Sequence, residues 1–241
     1  MKELESQGYQ LVRNVLSFED TASLRDAITD TLDRVAGAFR TPFSTSCAGA
    51  ALEERIDLIA RQDPAYAVAL FHAVMADAQR DPRMEALSDH PCLVPIIADL
   101  LSPLTRIGQV IRTRAVVSAL SSARSSWHQD VIRKPGEGSG CGAVRLACWI
   151  PLTDVDEHSG ALELIPGTWI EPLPHCADEN NFFIQNEQLP ASERLVVPLR
   201  RGDVLILDRF IPHRSLPVQQ GWARWAVVMW VKAGSTNEQL C

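Results

Sequence analysis

No apolar run in the chain reaches the roughly 20 residues that a membrane-spanning helix needs. A basic surplus is also missing: 30 acidic against 23 basic residues leave a net charge of −7. That deficit excludes a general nucleic-acid binder, which needs a basic face to neutralise phosphates. The six cysteines, Cys47, Cys92, Cys141, Cys148, Cys176 and Cys241, include no Cys-x-x-Cys pair. A chain of 241 residues does not depend on disulfide staples, so reduced thiols, several of them in the core, are expected. The N-terminal Met1-Lys2-Glu3-Leu4-Glu5 lacks the apolar centre of a signal peptide, which makes the cytoplasm the expected compartment. The chain shows no internal repeat and no low-complexity tract. What it does have is balanced, with 46% hydrophobic and 22% charged residues, as in an average globular protein. Its length suits one large domain or two small ones.

Pattern divides the chain into a helical first part and a strand-rich second part. Residues 8–15 alternate like a short strand. Ser17 then reads as a helix N-cap with Glu19 and Asp20 in the first turn, where carboxylates favour the helix start. Leu24, Ala27, Ile28, Leu32 and Val35 follow at helical spacing. Residues 51–62, 64–80 and 91–101 read as further helices. From about residue 104, short apolar or alternating runs are separated by Gly, Pro, Asp and Ser: 106–119, 144–152, 162–165, 195–199, 203–207 and 223–232. Such strands with turns between them predict a sandwich or barrel. Residues 133–142 and 171–194 read as loops. The first carries Gly136, Gly138, Gly140 and Gly142 but lacks the Lys-Ser/Thr ending of a phosphate-binding loop.

The sharpest local feature is Trp127-His128-Gln129-Asp130. In extended chain, residues i and i+2 point to one side, so His128 and Asp130 can present an imidazole and a carboxylate to one point. His213, in Ile211-Pro212-His213-Arg214-Ser215, follows the predicted strand 203–207, and a barrel could bring it beside them. Two histidines and a carboxylate on one face form the ligand set of non-haem iron oxygenases, with positions left open. Zinc with the same ligands and a water is the competing reading. His72, His90, His158 and His175 have no partner at ligand spacing and read as structural or solvated. In the predicted strand 222–231, Arg224 is the one charge on two apolar faces. A buried guanidinium needs an anion, either a protein carboxylate or a bound one held bidentately. Ser215 shares a side with His213 and could add a hydroxyl.

These pieces, in order, resemble the phytanoyl-CoA dioxygenase family of Fe(II)- and 2-oxoglutarate-dependent oxygenases over most of the chain. Gly8 to Ser17 is similar to the family's opening strand and helix start, and Trp127-His128-Gln129-Asp130 to its iron motif. Cys148 to Asp154, Ser159-Gly160-Ala161-Leu162 and Pro166-Gly167-Thr168 look like its central strands. Gly202-Asp203 with His213, Ser215 and Arg224 looks like its C-terminal signature. Trp169 departs from it, standing where the family usually has a histidine.

The resemblance implies a mainly β fold with flanking α-helices: a double-stranded β-helix barrel of the jelly-roll or cupin kind. It implies a single domain over residues 1–241, helix-rich in 1–103 with the barrel core in 104–232. It implies His128, Asp130 and His213 as Fe(II) ligands, Ser215 and Arg224 at the distal carboxylate of 2-oxoglutarate, and Gln129 and Trp149 lining the pocket. The partners implied are a small-molecule substrate and O2, with no nucleic acid and no membrane. An Asp at position 130, where halogenases of this type carry a small residue, predicts a hydroxylase. Desaturation, cyclisation or epoxidation remain open, as do a non-catalytic metal and 2-oxoglutarate sensor and a zinc hydrolase. Arg112, Arg114, Arg133, Lys134, Arg145, Arg209 and Arg214 near the site point to an anionic substrate or, equally, to solvated surface charge. The loops 133–142 and 171–194 are the expected lids.

Overall fold

The computed structural model describes residues 2–38, 47, 49–120, 126–130, 144–167, 169–177 and 182–234. The glycine-rich stretch 133–142, with Arg133 and Lys134, lies outside them. Among the described residues every α-helix lies before Ser102: α1 (Lys2–Gln7), α2 (Phe18–Ala38), α3 (Leu52–Gln62), α4 (Pro64–Ala78), α5 (Pro82–Glu85) and α6 (Leu93–Leu101). Ser17 starts α2 as expected. Its Oγ accepts from the Asp20 N–H at 3.1 Å, and Asp20 Oδ2 accepts from the Ser17 N–H at 2.8 Å, a reciprocal cap. The apolar stripe of α2 is then buried, with Leu24, Ala27, Ile28, Leu32 and Val35 all in the core. Asp63 caps α4 through the Tyr66 N–H, with Pro64 at the first helical position, where a missing N–H costs nothing.

The strands are β1 (Tyr9–Val12), β2 (Thr105–Val117), β3 (Val144–Pro151), β4 (Leu162–Leu164), β5 (Cys176–Ala177), β6 (Phe182–Phe183), β7 (Leu195–Val197), β8 (Val204–Asp208), β9 (His213–Ser215) and β10 (Ala223–Gly234). Five form an antiparallel sheet in the order β1-β8-β3-β10-β2, and three form a second in the order β7-β4-β9. The stretch 171–194 is not loop throughout: β5 and β6 pair within it. Two-residue strands leave too little alternation for a pattern to be read.

The alternation of β10 sorts the protein into two cores. Trp225, Val227, Met229 and Val231 pack with the helices, in one cluster with α2, α3 and α4. Ala226 and Val228 pack on the opposite side with Trp149, Leu205, Leu207, Leu162 and Leu164. The helical layer therefore covers one face of the larger sheet. The other face meets the three-stranded sheet, and the polar residues of interest lie there.

Candidate active site

The two histidines 85 residues apart are joined by main chain. His128 N–H donates to the His213 carbonyl at 3.0 Å, and His213 N–H to the His128 carbonyl at 2.9 Å. Residues paired this way in an antiparallel bridge project to the same side, and the ring centroids are 4.2 Å apart. Asp130, two residues on, joins them: His213 Nε2 lies 3.9 Å from Asp130 Oδ2. The ligand atoms of His128, Asp130 and His213 all fall within 4.8 Å of one another.

Each ring is pre-set as a donor of electrons. His128 Nδ1 meets the Ser126 carbonyl at 2.8 Å, and His213 Nδ1 meets the Ile211 carbonyl at 3.1 Å. A carbonyl accepts only, so Nδ1 carries the hydrogen and the Nε2 lone pair is left toward the common point. Desolvation, then the neighbouring His213, hold the His128 pKa down at about 4, with Asp130 opposing; the ring is neutral at neutral pH, as metal ligation requires. Two imidazoles and a carboxylate on one side fit a divalent iron or zinc.

Beside this cluster, Arg224 is 1% exposed. Its NH2 group donates to Ser215 Oγ at 2.7 Å and its Nε–H to the Gly160 carbonyl at 3.1 Å. Its Cζ stands 5.2 Å from the Trp149 ring centroid. NH1 is buried with no partner, and among the described residues no carboxylate pairs with this arginine. Burial alone pulls its pKa down to about 9, and among the described residues this buried cation has no counter-ion. Gly160 belongs to the Ser159-Gly160-Ala161-Leu162 motif. Its φ is +84°, and a Cβ there would stand 3.2 Å from Arg224 Nε and 2.8 Å from Val218 Cγ1.

Other sequence candidates separate. Trp149 is buried in the inner core, against the arginine. Gln129 is 2% exposed and its amide is engaged at both ends, with Nε2 donating to the Phe210 carbonyl and Oε1 accepting from the Leu173 N–H at 2.7 Å. Arg214 points away from its neighbours His213 and Ser215; it pairs with Glu163 at 2.6 Å and stacks on Trp127. Arg209 lies over Phe210. Arg112 and Arg114 pair in register with Val228 and Ala226 and so share the inner face. Trp169 donates its Nε1–H to the Ile165 carbonyl at 2.9 Å.

A family profile described as phytanoyl-CoA dioxygenase (PhyH) matches residues 4–224. No curated protein sequence matches. Among solved structures, the chain is similar to SnoK, a non-heme alpha ketoglutarate dependent carbocyclase from nogalamycin biosynthesis, with TM-score 0.57, 19% identity, and coverage of 97% of this chain and 84% of that one. EvdO2 from Micromonospora carbonacea var. aurantiaca, complexed with 2-oxoglutarate, gives TM-score 0.59, 17% identity, and 98% and 91% coverage. The epimerase SnoN, in complex with Fe3+, alpha ketoglutarate and nogalamycin RO, gives 0.56, 17%, and 97% and 81%. At these identities the likeness is one of fold.

Proposed function

Because the chain belongs to the phytanoyl-CoA dioxygenase family, we propose that it is an Fe(II)- and 2-oxoglutarate-dependent oxygenase that hydroxylates a small molecule. The carrying observation is the buried Arg224, with no carboxylate partner among the described residues, beside a two-histidine, one-carboxylate cluster. A cluster of ligands alone suits zinc hydrolysis equally well; a buried guanidinium beside it with no carboxylate among the described residues calls for an anionic cosubstrate. In this reading the two sheets close as a double-stranded β-helix over a single domain. SnoK, EvdO2 and SnoN are similar to this chain in fold, and the last two were solved with alpha ketoglutarate or 2-oxoglutarate.

His128, Asp130 and His213 hold the iron. Arg224 and Ser215 bind the distal carboxylate of 2-oxoglutarate, with NH1 supplying the unused donor, and Trp149 walls the pocket. Gln129 acts from behind, fixing the main chain between two ligands rather than touching the cosubstrate. With iron and 2-oxoglutarate in place, such a site couples decarboxylation of 2-oxoglutarate to succinate with oxidation of a substrate C–H bond by O2. The substrate is anionic. Arg112 and Arg114 lie on the inner face, and Arg114 Cζ stands 5.3 Å from the Trp230 ring centroid. Arg114 is solvent-exposed, and Asp130 acts on its charge through space, so Arg114 is within electrostatic reach of the ligand cluster. Among the described residues neither arginine forms a close ion pair, Asp130 acting on Arg114 only at longer range.

The test is succinate release under O2 from protein loaded with Fe(II) and 2-oxoglutarate, across a panel of aromatic and aliphatic carboxylates, phosphates and neutral analogues. Iron-dependent succinate, raised by anionic compounds together with a product 16 mass units heavier, is expected. Loaded protein that binds 2-oxoglutarate yet releases no succinate with any compound would favour a sensor and overturn the enzymatic reading.

A further inference from the structure

A third histidine repeats the local geometry of the two candidate ligands. His175 Nδ1 meets the Leu173 carbonyl at 2.8 Å, as His128 and His213 meet carbonyls two residues back. Its Nδ1 is therefore protonated and its Nε2 lone pair is directed outward. That lone pair is taken up by protein: Nε2 accepts from the Gln129 N–H at 3.1 Å.

The contact is one of a set. Gln129 Oε1 accepts from the Leu173 N–H at 2.7 Å, and Gln129 Nε2 donates to the Phe210 carbonyl, three residues before His213. Gln129 itself stands between His128 and Asp130. Its main chain and both ends of its amide thus tie the ligand-bearing turn to residues 173–175 on one side and to the approach to His213 on the other. A second seam runs alongside. The Ile184 N–H donates to the Trp127 carbonyl at 2.7 Å, while Leu173, Trp169 and Leu189 pack on Trp127, Ile165 and Ile184.

We infer that His175 is a positioning residue: with Gln129 it clasps residues 169–177 to the metal-ligand turn, so that filling the metal site orders this segment and loss of the clasp loosens the metal. The inference rests on the proposed metal site. The physical reason is that His128 and Asp130 share one extended turn whose only intervening N–H is held by His175. If that N–H is released, the turn gains conformers in which the two ligands no longer converge. Linkage then acts in both directions, since whatever the segment lends to the metal, the metal lends to the segment.

The experiment uses Co(II) as the probe, titrated without 2-oxoglutarate into wild type, His175→Ala, His175→Gln and His213→Ala, with amide hydrogen exchange over residues 169–177 measured with and without Co(II). In wild type, Co(II) should slow exchange at Leu173, whose N–H is bonded to Gln129. His175→Ala should bind Co(II) about tenfold more weakly, the lower end of what losing a ligand-supporting partner costs, and lose the metal-dependent protection at an unchanged melting temperature. Gln offers an oxygen near the position of Nε2, so His175→Gln should restore much of both. Wild type that binds Co(II) without any slowing at Leu173 overturns the inference, whatever becomes of the variants. So does a His175→Ala protein with wild-type affinity and protection. If wild type and His213→Ala bind Co(II) equally weakly, the metal site itself is wrong and the clasp falls with it.

Discussion

At the scale of single residues, Arg224 separates a cosubstrate pocket from a structural ion pair. Alternation along residues 222–231 was enough to place it on a buried face, since every neighbour on that strand is apolar. Whether a carboxylate of the protein met it could not be read, because the candidates are scattered along the chain. In the folded protein the arginine has Ser215 and Gly160 but, among the described residues, no acid. Arg224→Ala should therefore weaken 2-oxoglutarate binding by at least tenfold, because truncating one partner of a buried charge pair costs about 2–5 kcal/mol. Arg224→Lys keeps the charge without the planar fork and should fall between Ala and wild type. Metal affinity should hardly change in either. Anaerobic titration of the Fe(II) protein, followed by its charge-transfer absorption, reads both quantities. Normal 2-oxoglutarate affinity with a lowered melting temperature would return Arg224 to a structural role. The opposite lesson comes from Gln129. Its place inside the motif suggests a pocket residue, while its amide bonds the Phe210 carbonyl and the Leu173 N–H. Sequence gives the neighbours of a side chain along the chain, not the partners that claim its hydrogen bonds.

At the scale of elements, most strands were legible, down to the three-residue β4 and β7, while β5, β6 and β9 were not. Residues 144–151 and 223–234 sit close to their expected bounds because a strand buried on both faces reads as a largely apolar run, and residues 105–117 do so because a long mixed run of apolar and polar residues keeps a strand's period. Strand β9 has three residues, with the chemistry on two of them, so no periodicity announces it. The convergence of His128 and His213 is likewise a property of a single bridge between segments. Two glycines at corners provide a matched test. At Gly202, φ is +97° and a Cβ would stand 2.6 Å from the Leu16 carbonyl oxygen. That carbonyl belongs to the turn into α2, which Gly202 itself holds by accepting from the Val15 and Leu16 N–H groups. Gly202→Ala should cost about 2 kcal/mol or more of stability, with 2-oxoglutarate affinity unchanged in the molecules that remain folded. Gly160→Ala places its methyl against Arg224, so it should lower 2-oxoglutarate affinity as well as the melting temperature. Thermal melts alongside 2-oxoglutarate titrations distinguish the pair. Equal losses of affinity in both variants would show that Gly160 acts only through stability.

At the scale of the whole molecule, the larger sheet separates two jobs. Its outer face and the helices form the larger core, while the inner face carries Arg224, Trp149 and the approach to the ligand cluster. The division into a helical first part and a strand-rich second part could be read from periodicity. That one sheet face would be apolar and the other would carry the site followed only from the register of β10 with its neighbours. Because the two histidines are joined through main chain, and their side chains add little to either core, His128→Ala and His213→Ala should each abolish metal binding and leave the fold in place. Cys148 provides an internal gauge of that claim. It pairs with Ile206 and Met229 in the helix-facing core, and burial raises its pKa to about 12. At pH 8 about one molecule in ten thousand then carries the thiolate, which is the reactive form, and access is blocked as well. Cys92 is exposed and should react at once with a thiol reagent. Cys148 should react only as the protein unfolds globally. If the helical layer and larger sheet hold without the ligands, both variants should modify Cys148 at the wild-type rate while binding no Co(II). A much faster reaction in either variant would mean that the histidines support the fold, and loss of metal could then no longer be assigned to loss of a ligand.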